Sequence, residues 1–157
     1  MKSMKIRIIS ISNKCPVWIS QGIDHFLTKL PQNIRLELIE IRSIKKNRDA
    51  SKGLMDEKHK IMNRVDSVDQ LIVLDEKGKS LTSAGLAQRL DSWIVQGKTV
   101  NLVIGGADGL HESLKSEADE LISLSKLTLP HQMARLFLIE ALYRASAILA
   151  NHPYHRS

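Results

Sequence analysis

Two short stretches of this sequence carry most of its chemical potential. Gly105-Gly106-Ala107-Asp108-Gly109 places three glycines in five residues, directly after the apolar run Thr99 to Ile104. Glycine at such a point lets a ligand or another backbone approach closely and permits positive φ. A plain tight turn explains the same cluster. The spacing is neither GxGxxG nor GxxxxGK followed by Ser or Thr, so NAD and nucleoside triphosphates lose support. The second stretch is Ser125-Lys126-Leu127-Thr128-Leu129-Pro130. Its leucines have little to pack on if it only connects two elements. It either wraps a ligand through its backbone amides and carbonyls or extends a strand, since Leu127 and Leu129 alternate.

Further chemistry sits near the carboxyl terminus. Glu140 and Arg144 stand at i, i+4 in the favourable order for a helical ion pair. That pair is either structural or presents Arg144 to an anionic or polar ligand. His152, Tyr154, His155 and Arg156 follow within five residues. A stacking aromatic, two imidazoles and a guanidinium suit an unpaired base and its phosphates. The His-x-x-His spacing is broken by Pro153 and has no third ligand nearby, so no metal is expected. Between Arg42 and Lys52, a polar stretch carries Arg42, Lys45, Lys46, Arg48 and Lys52. Lys45, Lys46 and Arg48 are the candidates for contact with RNA phosphate; a solvated charge run is the competing explanation.

Elements must hold these residues in place. Met4 to Ile11 and Ile34 to Leu38 alternate as strands. Between them, Ile19, Ile23, Phe26, Leu27 and Leu30 form a helical stripe stopped by Pro31. A helix with Leu54, Ile61, Met62 and Val65 follows the basic loop. Gln70 to Asp75 and Thr99 to Ile104 read as buried parallel strands. Thr82 or Ser83 caps a helix over Leu86, Leu90, Trp93 and Ile94, and Gly97 ends it. A short helix, about His111 to Ala118, precedes a last strand at Ile122 to Leu124. The longest helix, about His131 to Ala150, has the apolar run Leu136-Phe137-Leu138-Ile139 and should be buried on most sides, in the core or at a dimer interface. Strands alternate with helices throughout, which predicts an α/β fold, a mainly parallel sheet flanked by helices. With 157 residues and no internal linker, one domain over 1–157 is expected. Ligands of such sheets bind at the carboxyl ends of strands, where the loops after Leu74-Asp75, Ile104 and Leu124 lie.

Bulk properties narrow the class. Lys and Arg number 23 against 17 Asp and Glu, a net charge of +6. The excess favours a polyanionic partner such as nucleic acid. No apolar run approaches the ~18 residues of a membrane span, so no membrane is expected. Cys15 is the only cysteine, which excludes an internal disulfide and fits a reducing compartment.

Together the residues resemble a known family. Leu102-Val103-Ile104-Gly105-Gly106-Ala107-Asp108-Gly109, Leu124 to His131, Glu140-Ala141-Leu142-Tyr143-Arg144-Ala145 and Asn151-His152-Pro153-Tyr154-His155-Arg156 look like the RlmH family of the SPOUT superfamily of trefoil-knotted methyltransferases. So does the turn Lys14-Cys15-Pro16-Val17-Trp18. The resemblance spans essentially the whole chain. It implies a SPOUT-type α/β knot with a C-terminal trefoil; the hydrophobic pattern predicts no knot, and chains avoid them. It implies S-adenosyl-L-methionine-dependent methylation of N3 of a pseudouridine in a large-subunit (23S) rRNA stem–loop on the assembled ribosome. It also implies a cytoplasmic homodimer whose sites are completed near the partner chain. By position, Leu74, Gly106 and Ser125, Lys126, Leu127, Thr128, Leu129 and Pro130 would hold the cofactor, with Gly105 beside them. Tyr154, His155 and Arg156 would meet the RNA or the partner's cofactor site. Ala107 departs from the family, where proline is frequent; the change should alter loop stiffness more than chemistry.

The implied reaction sets roles for these residues. Proximity and alignment are the enzyme's main supply. The N3 imide must lose a proton, so a base is wanted, and His155 has a suitable ordinary pKa. Arg156 or Arg144 would stabilise the developing negative charge. Substrate positioning is the first expectation for all three. Two other classes compete. A non-catalytic ribosome- or RNA-binding module predicts no affinity for the methyl donor. A small-molecule enzyme on a Rossmann-type sheet lacks the expected glycine motif.

Overall fold

The computed structural model describes residues 3–12, 14–43 and 50–156; for Ala50, His155 and Arg156 it describes the backbone alone. Strand β1 (Met4–Ile11) leads to α1 (Val17–Leu27), β2 (Ile34–Ile41), α2 (Ala50–Met62), β3 (Gln70–Ser80) and α3 (Ser83–Gln96). Then come β4 (Val100–Ile104), α4 (Glu112–Glu117), β5 (Glu120–Ser123), α5 (His131–Leu149) and a terminal 3-10 turn (Pro153–Arg156). The strands form one five-stranded sheet in the order β2-β1-β4-β3-β5, and every pairing is parallel. All carboxyl ends therefore lie along one edge. That edge is where the three sequence-predicted loops meet.

Successive residues of a strand face opposite sides, and the chain uses both. Ile6, Ile8, Ile72, Leu102 and Ile104 pack with Ile19 and Ile23 of α1, Leu90 and Trp93 of α3, and Leu138, Ile139 and Leu142 of α5. Ile9, Ile11, Val73 and Val103 pack on the other face with Ile61 of α2 and Leu114 of α4. Burial on both faces is why β4 is apolar at four of its five positions and buried at all five.

Several ends follow local chemistry. The Thr82 hydroxyl accepts from the Gly85 amide at 2.9 Å and caps α3. Gly97 closes that helix with φ 69°. At the end of α5, His152 N–H donates to Ala147 O at 2.8 Å and Asn151 N–H to Ile148 O at 3.1 Å. With Asn151 at φ 55°, this is a Schellman stop with asparagine in place of glycine. The chain then turns back as the 3-10 turn, so the tail is docked rather than frayed. Helix α1 stops at Leu27, short of the expected Leu30. The Thr28 hydroxyl donates to His25 O at 2.9 Å and leads a turn into Pro31.

The main departure is β3, which runs on to Ser80 where the apolar pattern ends at Asp75. Leu74 and Lys79 both partner Ile122 of β5. Two positions five residues apart cannot share one edge of a strand, so residues 75–78 cross over β5. A Cβ on Gly78 would lie 2.6–2.8 Å from the Leu121–Ile122 backbone. Only glycine allows that crossing.

Candidate functional site

At the carboxyl edge, the loops after β3, β4 and β5 enclose a pocket of about 710 Å³. Leu74, Asp75 and Glu76 form one wall, Ile104 to Ala107 with Gly109 and Leu110 a second, and Leu124 to His131 without Lys126 a third. Lys115 of α4 and Ala134 of α5 complete it. The volume falls within the ~300–1,000 Å³ typical of cofactor sites.

The glycine segment is a tight turn and a pocket wall at once. Gly109 N–H donates to Gly106 O at 3.0 Å, and Gly109 takes φ 75°. A Cβ on Gly105 would sit 2.9 Å from Leu110 Cγ, and one on Gly106 3.2 Å from a methyl of Ile11. These two glycines serve the turn's own packing, which then presents backbone to the pocket. The Leu-Pro bend is a loop, not a strand extension. The Ser125 hydroxyl accepts from Leu127 N–H at 2.9 Å, and Leu127 is 76% exposed.

A charged pair that sequence reasoning missed lies in the same pocket. Lys115 Nζ stands 3.0 Å from Asp75 Oδ2, and Lys77 N–H donates to Asp75 Oδ1 at 3.0 Å. The Lys77 amide and then Lys115 hold the Asp75 carboxyl below its usual range. The hydrogen bond to Asp75 raises the Lys115 ammonium. Forty residues separate the partners, so no local spacing signals them. Glu76 accepts a longer bond, 3.4 Å, from the Thr128 hydroxyl, which ties the first wall to the third.

Of the nine expected cofactor residues, Leu74, Gly105, Gly106, Ser125, Leu127, Thr128, Leu129 and Pro130 line the pocket. Lys126 does not; it is exposed at the rim. Of the residues expected for catalysis, Arg144 and Tyr154 are not in its lining. Arg144 donates to Glu140 through Nη2 at 2.8 Å and Nε at 3.0 Å. Tyr154 OH donates to the same carboxylate oxygen at 3.0 Å, and the Arg144 guanidinium lies 4.8 Å from the Tyr154 ring centre. Burial and the Glu140 carboxylate push the Tyr154 phenol up. Arg144 lines a second cavity of about 320 Å³, which shares only Leu74 and Leu124 with the first. Along α5, Arg144 stands ten residues beyond Ala134, about 15 Å. His155 and Arg156 have backbone in the 3-10 turn. Lys45, Lys46 and Arg48 lie outside the described residues.

Among the described residues, no cluster of three or more His, Cys, Asp or Glu is arranged to hold a metal ion. No helix among them is long and apolar enough to cross a membrane.

The chain is thus an α/β protein with an all-parallel sheet and a cofactor-sized pocket at its carboxyl edge. Comparison with known proteins narrows this. A family model described as predicted SPOUT methyltransferase matches residues 4–155. A protein of Dechloromonas aromatica (strain RCB), named ribosomal RNA large subunit methyltransferase H, is 42% identical over 154 residues, covering 98% of this chain and 99% of the relative. Proteins of the same name from Methylobacillus flagellatus and Burkholderia lata are also 42% identical, over 154 and 156 residues. Each match covers 98% of this chain and 99% or 100% of the relative. The chain belongs to the SPOUT methyltransferase family.

Proposed function

We propose that this protein is a cytoplasmic rRNA methyltransferase, transferring the methyl group of S-adenosyl-L-methionine to N3 of a pseudouridine in a large-subunit rRNA stem–loop on the assembled ribosome. The observation that carries the reading is the convergence of the glycine turn and the Leu-Pro bend on one pocket, in a chain 42% identical to large-subunit rRNA methyltransferases. The pocket's chemistry fits the donor. Leu74, Leu110, Leu127 and Leu129 offer apolar contact for adenine and the methionine chain. Asp75 and Glu76 offer acceptors for ribose hydroxyls or the ammonium group, and Lys115 a cation for the carboxylate.

When bound, the donor supplies an electrophilic methyl on a sulfonium. The chain's own task is to align the nucleophilic nitrogen with that bond, exclude water and accept the imide proton. His155 is proposed as the base, with Arg144 and Arg156 balancing the negative charge that develops on the base ring. Tyr154 fastens the tail that carries His155 and Arg156. Since Arg144 stands about 15 Å along α5 from the pocket's last lining residue, a second copy is proposed to bring tail and pocket together. Met133 and Phe137, exposed at i, i+4 on α5, give that second copy an apolar face to cover.

The test is transfer of a tritium-labelled methyl group to intact ribosomes, separated subunits and free rRNA. The reading expects label on assembled particles, at N3 of one pseudouridine. Calorimetric titration with the donor separates it from a non-catalytic RNA-binding module, which would release no heat.

A further inference from the structure

Because every strand of the sheet points the same way, the loops that follow them share one edge with the pocket. Those loops carry cations that have no side-chain partner among the described residues. Arg42 follows β2, Lys14 follows β1 and Lys126 follows β5; all three are exposed. Two hydrogen bonds link these loops into an arc. Ser12 N–H donates to Ile41 O at 3.0 Å, which holds the ends of β1 and β2 together. Gln132 Nε2 donates to Lys14 O at 2.8 Å, and Gln132 lies in the first turn of α5, directly after the loop of Lys126. On this edge Glu40 pairs with buried Arg135 and Asp75 with Lys115, while Glu76 meets the neutral Thr128 hydroxyl and keeps its charge; exposed Asp108 lies in the loop after β4.

Two helix starts add to the same field. α1 and α5 begin after Pro16 and Pro130, and neither has a side-chain cap. Their unsatisfied amides give the arc partial positive charge. Three exposed cations and two helix starts thus lie along the edge onto which the pocket opens.

We infer that Arg42, Lys14 and Lys126 form a phosphate-gripping arc that tracks the backbone of the RNA whose base enters the site. The arc reads no sequence; it fixes register and orientation, as phosphate contacts do. It assigns Lys126 to the RNA rather than to the methyl donor. The choice of RNA as the polyanion rests on the methyltransferase reading; the arc itself does not.

Counterion release makes the arc measurable. Each phosphate neutralised contributes about 0.7–0.9 to the slope of log K against log salt. Binding of a short fluorescein-labelled RNA stem–loop is followed by anisotropy across a salt series. One variant is the triple Lys14→Gln, Arg42→Gln, Lys126→Gln. The comparison variant is Lys29→Gln, Arg35→Gln, Lys98→Gln, three exposed cations away from the pocket edge. Circular-dichroism melting checks that both fold. The arc variant should lose about two to three units of slope, and the comparison variant less than one. Equal losses in the two, or an unchanged slope in the arc variant, overturn the inference. A wild-type protein that binds the stem–loop through the arc yet methylates nothing would sink the methyltransferase reading and leave the arc standing.

Discussion

The Tyr154 hydroxyl donates to Glu140 at 3.0 Å and fastens the terminal turn to the longest helix. Tyr154 also packs its ring at a tilt against Tyr143, with ring centres 4.6 Å apart. Removing the hydroxyl alone should therefore loosen the tail without releasing it. Tyr154→Phe is expected to cost about 1 kcal/mol of stability, the usual net worth of one such bond, by urea titration. Methyl transfer should fall more than stability does, because Tyr154 holds the segment of His155 and Arg156. Equal stability in the two proteins would show the bond to be idle.

The same bond has a pH signature. Burial and Glu140 raise the Tyr154 phenol above its usual 10.0. A raised acid favours the protonated form when folded. Its contribution is complete below the unfolded value and is lost as pH rises through the higher folded value. Near-ultraviolet absorbance should therefore show one tyrosine ionising late, with loss of the tail's protection from carboxypeptidase over the same range. Tyr154→Phe should lack that late step.

Gly78 is the position where β3 crosses β5. An added methyl would meet backbone at 2.6–2.8 Å, which no rotamer change relieves. Gly78→Ala is expected to destabilise by about 3 kcal/mol, at the upper end for overpacking. Gly53→Ala is the contrast: nothing lies within 4 Å of its Cβ position, and a helical alanine there should be neutral or stabilising. A Gly78→Ala protein as stable as wild type would mean the crossing is not there.

The Asp75–Lys115 pair sets a second pH dependence. Asp75 is held below its usual 3.8 and Lys115 above its usual 10.5. The lowered carboxyl contributes stability above about 3.8 that disappears as pH falls through the folded value. The raised ammonium contributes below 10.5 and fades as pH rises through its folded value. Asp75→Asn should therefore flatten the acid limb of the stability profile, measured by urea titration from pH 2.5 upward. An acid limb as steep as that of wild type would place the titrating group elsewhere.

Most of the layered fold was legible from periodicity, because burial on both faces demands apolar strands and one-sided helices demand stripes. Thr82, Gly97 and the alternation of β1 are local signals and give local structure. The second half of β3 was not legible: Glu76-Lys77-Gly78-Lys79 is polar, and its strand character comes from pairing with Ile122, far along the chain. The Asp75–Lys115 pair was hidden for the same reason. Pattern left the Ser125–Pro130 segment undecided between loop and strand because both put Leu127 and Leu129 on one side. The Ser125 hydroxyl decides it by turning the backbone at Leu127. Arg144 showed its ion pair in its i, i+4 spacing, and that spacing gave no hint that the pair lies outside the cofactor-sized pocket.

Leu127 separates a pocket wall from a core position. At 76% exposure it contributes little to folding, so Leu127→Ser should change stability by less than about 0.5 kcal/mol. Leu110, 7% exposed in the same pocket, should lose about 2–5 kcal/mol on truncation to alanine. For donor binding the order reverses in meaning. If the donor covers Leu127, the serine variant forfeits much of the ~1.5–3 kcal/mol that burying a leucine side chain contributes. The donor dissociation constant should then rise roughly tenfold, read by calorimetry at unchanged melting temperature. A leucine that matters neither to folding nor to the donor would leave both readings flat, and the third wall of the pocket would have to be drawn without it.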